Sequence, residues 1–349
     1  EHTQAQVALA PEQVPRTVAL SRTPTLAEWP DLSRALRRLA AARAKRVQPG
    51  RDEKVVAGWN GLAIGSLAEA SVLLHEPLML ELALTVATYL HAVHWEPGSN
   101  GRGAVLHRIS HEGVANVSIG AVLEDYAGVA LGFQALGVAS GEPVWFQRSD
   151  EILSAALELF MKDGKPRDNA ANDPRVQAVR GGASSAEVLD AAVPAATSLL
   201  GAALLNRAGR RGLGAGVQEP AVPGSLDDLE LVRMLLGFVP AIVQRAPQAA
   251  GAALGVAARF LHGSSTELAI AGGTAAERRA AVGLGVLAGV AQLGDTAEPG
   301  AVRSAHPAGP QGQLRLYVCR SGICHAPVSD LPSLAALIVP GLERGGTSR

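Results

Sequence analysis

Residues 57–74 read Ala-Gly-Trp-Asn-Gly-Leu-Ala-Ile-Gly-Ser-Leu-Ala-Glu-Ala-Ser-Val-Leu-Leu, and residues 78–94 read Leu-Met-Leu-Glu-Leu-Ala-Leu-Thr-Val-Ala-Thr-Tyr-Leu-His-Ala-Val-His. In the first stretch Trp59, Leu62, Ala63, Ser66, Ala70 and Leu73 fall on one helical face, the spacing of a helix packed on one side. The second is helical too, and the short connection makes the two a helical hairpin. This rhythm recurs along the chain and decides the fold class.

Working outward, Thr25 can cap a helix carrying Leu32, Leu36, Leu39 and Ala40, which Gln48-Pro49-Gly50-Arg51 stops. Beyond the hairpin, glycines and Asn mark an excursion between Glu96 and Val117, with a short strand over Ala104–Ile109. Helices are predicted over 117–139, 144–161, 186–208, 226–245 and 249–261. Residues 162–185 are polar and too long for a plain connector, so they are a functional loop or disordered. Near the end, Thr266–Ala271, a helix over 275–293 and Leu314–Cys319 read as strand, helix, strand, which suggests a small parallel unit. The predicted organisation is an irregular lead-in over 1–24, a helical-hairpin region over 25–263, an α/β addition over 264–340 and a tail over 341–349.

Composition agrees with a helical chain. Of 349 residues, 48% are hydrophobic and only 3% aromatic, with 39 glycines, so the apolar material is small and aliphatic. Small side chains let helix backbones approach closely, and alanine has the best helix propensity. The 31 Lys and Arg balance 32 Asp and Glu, which leaves no excess positive field for a nucleic-acid backbone. Arg37, Arg38, Arg43, Lys45, Arg46 and Arg51 form the one basic cluster, expected to be a solvated helix face. The longest apolar runs, such as Leu231–Val243, are interrupted by Arg233 and Pro240 and fall short of the ~18 residues a membrane span needs. Two cysteines cannot form a disulfide scaffold, so a cytoplasmic setting is expected.

Several residues can carry chemistry. Glu124, Asp125 and Tyr126 sit in an otherwise apolar helix, where successive side chains point about 100° apart and cannot all face solvent. A partly buried carboxylate there is either a general acid or base or a structural group tying down a neighbouring helix. Asp190 is the candidate second carboxylate, since sugar hydrolysis generally requires two. Trp59 beside Asn60 offers a stacking face and an amide for a sugar, or a tryptophan in the core. His107 and Arg108 are further binding candidates, although an ordinary surface or satisfied core histidine is the favoured reading. Asp52, Glu53 and Lys54 read as a capping and ion-pair cluster before a helix. Cys319 and Cys324 have four residues between them, unlike a redox or zinc pair with two. They read as structural thiols near a turn, with His325 able to complete a small site. No His, Asp or Glu set has metal-ligand spacing, so neither metal nor cofactor is expected. The glycine runs at 272–273 and 212–216 lack a following Lys-Ser/Thr and read as turns.

Four islands together carry a resemblance: Arg46–Leu62 with its Trp59-Asn60-Gly61-Leu62 core, Leu123-Glu124-Asp125-Tyr126-Ala127, Asp190-Ala191-Ala192-Val193-Pro194, and Tyr317–Pro327. In this order the chain resembles the C-terminal part of the YyaL / spermatogenesis-associated thioredoxin-domain family, from about Leu32 to Pro327. The resemblance implies an (α/α)6 toroid of the six-hairpin glycosidase type, related in fold to N-acylglucosamine 2-epimerases. It also implies that a thioredoxin-like domain and the first hairpins lie upstream of this chain. Asp52-Glu53 stands where the family has two aspartates, and Ala195-Ala196-Thr197-Ser198 where it continues Ser-Gly-Asn-Ser.

The expectation is therefore a mostly α chain, part of an (α/α)6 toroid with a small α/β addition. Its expected function is carbohydrate-directed, glycosidase- or epimerase-like. Asp125, Glu124 and Asp190 would be the catalytic candidates, with Trp59, Asn60, Tyr126, His107 and Arg108 binding the sugar. The partners would be a sugar ligand and the upstream thioredoxin-like domain, not nucleic acid or membrane. The rival readings are a non-catalytic binding toroid and an accessory region of a redox protein whose chemistry lies in the thioredoxin-like domain.

Overall fold

A computed structural model describes residues 29–99, 103–162, 165–169, 186–212, 227–262, 266–293, 306–320 and 323–338. Two compact units divide the chain after Glu53. In the first, helix α1 (Trp29–Ala44) opens with an Asp31–Arg34 ion pair at 3.1 Å. Arg37, Arg38, Arg43, Lys45 and Arg46 all face solvent, as their spread over the helix predicted. Glu53 pairs with Arg51 at 2.6 Å on the surface.

The second unit is mostly helical, built on hairpins. Helices α2 (Ala57–Leu73) and α3 (Pro77–Val93) form the first, α4 (Leu123–Ser140) and α5 (Pro143–Phe160) the second. Helices α6 (Ala196–Gly212) and α7 (Asp228–Leu235) form the third. Proline at the first turn of α3 and of α5 opens each return helix, where its missing N–H costs nothing. Helices α2, α4 and α6 lie side by side. The expected 226–245 helix is in fact two: α7 stops at Leu235, and α8 (Val239–Arg245) restarts with Pro240 in its first turn. Helix α9 (Gly251–His262) packs on α6.

Glycines set the spacing of α2 and α4. A Cβ on Gly61 would lie 2.5 Å from the Gly128 carbonyl carbon, and one on Gly128 would lie 2.9 Å from the Gly58 oxygen. Gly65 faces Gly132 in the same way at 3.6 Å. Contacts that advance in step along both helices make them parallel, with backbones touching, as the small-residue excess implied. Around this seam Ile64, Leu90, Leu106, Phe133, Leu153 and Leu200 are fully buried, each contributing roughly 1.5–3 kcal/mol by burial.

Short strands decorate the starts of these helices. Strand β1 (Val55–Val56) pairs antiparallel with β4 (Ile109–His111), which pairs with β5 (Val114–Ala115). Strand β2 (Trp95–Glu96) pairs with β3 (Val105–Leu106), and β6 (Met161–Lys162) with β7 (Lys165–Pro166). The expected strand over Ala104–Ile109 is thus split at His107-Arg108, and α4 begins later than its apolar pattern suggested.

The C-terminal addition is a sheet with helices α10 (Ala275–Ala288) and α11 (Leu331–Ile338) on one face. Its order is β11 (Ile323–Cys324), β10 (Arg315–Arg320), β8 (Thr266–Ala271), β9 (Ala291–Leu293). The parallel reading of Thr266–Ala271 with Leu314–Cys319 is corrected: β8 and β10 pair antiparallel. The parallel neighbour of β8 is β9, hidden in sequence at the end of α10. Gly289, at φ 65°, ends that helix in the left-handed region, which glycine adopts without steric cost. No described helix is long and apolar enough to cross a membrane.

Candidate functional site

Because α2, α4 and α6 run parallel, their first turns meet at one end of the second unit, and three aspartates bind that end together. Asp125 is fully buried. Its Oδ1 accepts from the Gly58 N–H at 3.1 Å, and its Oδ2 from the Val122 N–H at 3.0 Å and from Arg108 at 2.9 Å. One carboxylate thus serves the first turns of both α2 and α4. Burial pushes its pKa up, while Arg108 and the N–H donors pull it back. Asp190 does the same one step further on, accepting from the Ala195 N–H at 2.9 Å and the Ala252 N–H at 2.8 Å. It joins the starts of α6 and α9. Asp168 supplies the third tie: its carbonyl accepts from the Leu123 N–H and its carboxylate from the Glu187 N–H, both at 2.9 Å.

The lone pairs of Asp125 and Asp190 are therefore largely committed to backbone donors. Helix starts carry unpaired N–H groups and a positive dipole end, which explains why carboxylates settle there. The Gly58 N–H in the first turn of α2 is met by Asp125, 67 positions away in sequence.

Glu124 occupies a different environment on the next helical position. It is half-buried, and the Trp59 indole lies close enough to its carboxyl to favour the ionised form slightly. Burial raises its pKa first and the Asp125 charge second; Glu187 adds to the rise, while Arg108 and the indole oppose it. Trp59 is 58% exposed, so its ring is a surface platform rather than core. The backbone of Glu187 is pinned between the Asp168 carboxylate and the Thr197 hydroxyl, which donates to the Glu187 carbonyl at 3.0 Å. Trp59, Glu124, Arg108 and Glu187 thus gather on one rim. Asn60 stands beside them, its amide nitrogen donating to the Val56 carbonyl at 2.9 Å.

Two candidates lie elsewhere. Tyr126 is buried against Phe160, with ring centroids 5.2 Å apart, and its hydroxyl accepts from the Leu106 N–H at 2.8 Å. Burial raises that phenol to about 12. His107 is buried and faces Glu96 at 3.3 Å, on the opposite side of the chain from Arg108.

Further along α2, α4 and α6 a cavity of about 330 Å³ opens, lined by Glu69, Gln134, Asn206, Arg210 and Arg259 among apolar neighbours. Arg259 donates to Asn206 at 2.5 Å, Asn206 to Gln134 at 2.9 Å, and Gln134 to the Ala203 carbonyl at 3.0 Å. Partial desolvation raises Glu69, against the pull of Arg259. These residues come from four helices far apart in sequence, and no local motif marks them. Asp168 and Glu187 had a signal: Asp168 lies within, and Glu187 just beyond, the polar 162–185 stretch read as a functional loop or disordered, of which residues 163–164 and 170–185 lie outside the described residues.

Cys319 and Cys324 are joined as a disulfide, which corrects the reading of them as free structural thiols. They stand opposite each other in the β10–β11 ladder. The histidine beside them is His306, with Nε2 at 3.7 and 3.6 Å from the two sulfurs. His325 is exposed, and its backbone N–H donates to the Val318 carbonyl. His306 and both cysteines are brought together by the fold and not by sequence spacing, and with the sulfurs joined in a disulfide the group offers no thiolate to a metal.

No family model matches this chain. Among characterised proteins, human spermatogenesis-associated protein 20 is 31% identical to it over 135 residues, which are 37% of this chain and 17% of the human protein. The similarity thus spans well under half of either protein.

Proposed function

We propose that this chain is the helical, carbohydrate-directed part of a protein of the spermatogenesis-associated thioredoxin-domain family, its hairpins forming part of an (α/α)6 toroid. The human relative and the parallel row of α2, α4 and α6 support this reading. One juxtaposition carries the site: the exposed Trp59 ring lies against Glu124, a carboxyl held above its usual range by burial and by the Asp125 charge, at the rim where the helices start. A sugar ring stacks on Trp59. Glu124 keeps its proton to higher pH than an ordinary carboxyl and serves as general acid, with Glu187 as the second carboxylate. Asp125 and Asp190 position this rim by holding the helix starts. The proposed partners are a small sugar and the thioredoxin-like domain.

The cavity favours a second reading, a binding module without chemistry, in which the Arg259–Asn206–Gln134 chain orients a polar ligand. A panel of mono- and oligosaccharides, followed by thermal shift and by product analysis, separates the two. The catalytic reading expects a stabilising sugar whose turnover disappears in Glu124→Gln. Binding lost in Arg259→Met but untouched in Trp59→Phe supports the cavity instead, and no response to any sugar overturns the catalytic reading.

A further inference from the structure

The three residues Glu267, Cys319 and Cys324 lie in one row across β8, β10 and β11: Cys319 is the ladder partner of Glu267 on one side and of Cys324 on the other. Directly paired residues share a face of an antiparallel sheet. On that face Cys319 is 1% exposed and packs with Tyr317 and Phe146, whereas Cys324 is open to solvent. His306 covers both sulfurs, and its ring is held edge-on by Tyr317, with centroids 4.9 Å apart. The Tyr317 hydroxyl is engaged in donating to the Pro307 carbonyl at 2.6 Å. Glu267 is 4% exposed, and its Oε2 has no hydrogen-bond partner among the described residues.

A disulfide that only staples a hairpin needs none of this. A buried carboxyl without a full set of partners is costly, and a histidine placed on both sulfurs of a bridge with one accessible end matches what thiol exchange requires. We propose that Cys319–Cys324 is a reversible redox couple that exchanges with dithiols, with Cys324 as the attacked sulfur, His306 as the catalytic residue on the leaving sulfur and Glu267 as the buried proton store behind it. This chemistry is separate from the sugar reading and does not depend on it.

The step balances as follows. A thiolate of the dithiol attacks Cys324 Sγ, the Cys319–Cys324 bond breaks, and Cys319 leaves as a thiolate beside His306 and takes up a proton. The second thiol of the substrate then attacks its own sulfur in the mixed disulfide and releases Cys324. Two electrons and two protons pass from the dithiol to the cysteine pair, and the dithiol becomes a disulfide. The reverse direction reduces a disulfide substrate. Burial raises the Glu267 carboxyl to about 7, so it can exchange a proton near neutral pH.

The test uses the folded chain with dithiothreitol and with oxidised glutathione as probes, and alkylation with mass analysis as readout. Reduction by dithiothreitol without denaturant, reversed by oxidised glutathione, is the expected result. Cys319→Ser should form a stable glutathione adduct at Cys324, and Cys324→Ser should not form one at the buried Cys319. His306→Asn should slow reduction roughly tenfold or more, and Glu267→Gln should remove an inflection near neutral pH from the rate profile while the circular dichroism spectrum stays unchanged. A bridge that resists the dithiol until the protein unfolds overturns the proposal. So do equal reactivity of the two single cysteines, and reduction rates unchanged in both His306→Asn and Glu267→Gln.

Discussion

The buried carboxylate of Asp125 accepts the Gly58 backbone N–H at 3.1 Å, joining two helix starts that are 67 positions apart in sequence. The same group holds the Arg108 guanidinium at 2.9 Å. Asp125 is thus a support for the rim, and its loss should register first as lost stability. Removing one partner of a buried pair typically costs 3–5 kcal/mol, and Arg108 is partly exposed, so Asp125→Ala should lower the unfolding free energy by roughly 3 kcal/mol. Urea unfolding measures this. A variant as stable as the wild type would remove the structural role.

Gly61 and Gly128 bring the backbones of α2 and α4 into contact, and a Cβ at Gly61 would sit 2.5 Å from the Gly128 carbonyl carbon. Gly61→Ala must push the helices apart, at roughly 1–3 kcal/mol as for other overpacked cores. Gly255→Ala, on α9 with no atom within 4 Å of its Cβ position, is the control and should be neutral or stabilising. Thermal unfolding of the two variants checks the contrast.

Arg207 makes two bonds to Asp228, at 2.9 and 2.6 Å, and both side chains are buried. Asp228→Ala strands that guanidinium between α6 and α7, so a loss of roughly 3–5 kcal/mol is expected. Chemical denaturation of the variant gives the value, and a loss under about 1 kcal/mol would place the pair among weak surface bridges.

Stability should depend on pH from two directions. His94 is buried, with Nδ1 donating to the His107 carbonyl at 2.7 Å and Nε2 meeting the Ser110 hydroxyl at 2.8 Å, and burial lowers its pKa. The unfolded chain then binds the extra proton first, so this group's contribution falls as pH drops below the ordinary histidine value of about 6.5. Glu267 has the opposite sign. Raised from 4.5 to about 7, it keeps its proton in the folded state, and its contribution falls as pH rises through that window. Urea midpoints across pH 4–8 should show a shallower acid limb in His94→Gln and a shallower rise-side loss in Glu267→Gln, each relative to wild type.

The hairpin helices were legible because Trp59–Leu73 and Leu78–His94 repeat at helical spacing, and little else competes with that signal. The start of α4 was not, because Val117–Val122 is as apolar as a helix while its backbone is drawn into the strands around His107. Strand β9 was hidden because Ala291-Gln292-Leu293 continues an alanine-rich helix, and only the left-handed Gly289 separates them. Glu124, Asp125 and Asp190 were legible as a group but not in their division of labour, since that division depends on which backbone N–H groups the fold brings within 3.1 Å. His306 had no sequence signal at all: it reaches Cys319 across 13 positions, through the sheet rather than along the chain.

One resonance reports on the proposed rim directly. The Trp59 indole lies beside the Glu124 carboxyl, so its 15N-correlated peak, assigned with Trp59→Phe, follows both the ionisation of Glu124 and the arrival of a ligand. The account predicts that this peak titrates above the usual carboxylate range, shifts saturably with a sugar from the panel, and loses its pH dependence in Glu124→Gln. A peak that ignores every sugar while the protein binds one elsewhere would contradict it.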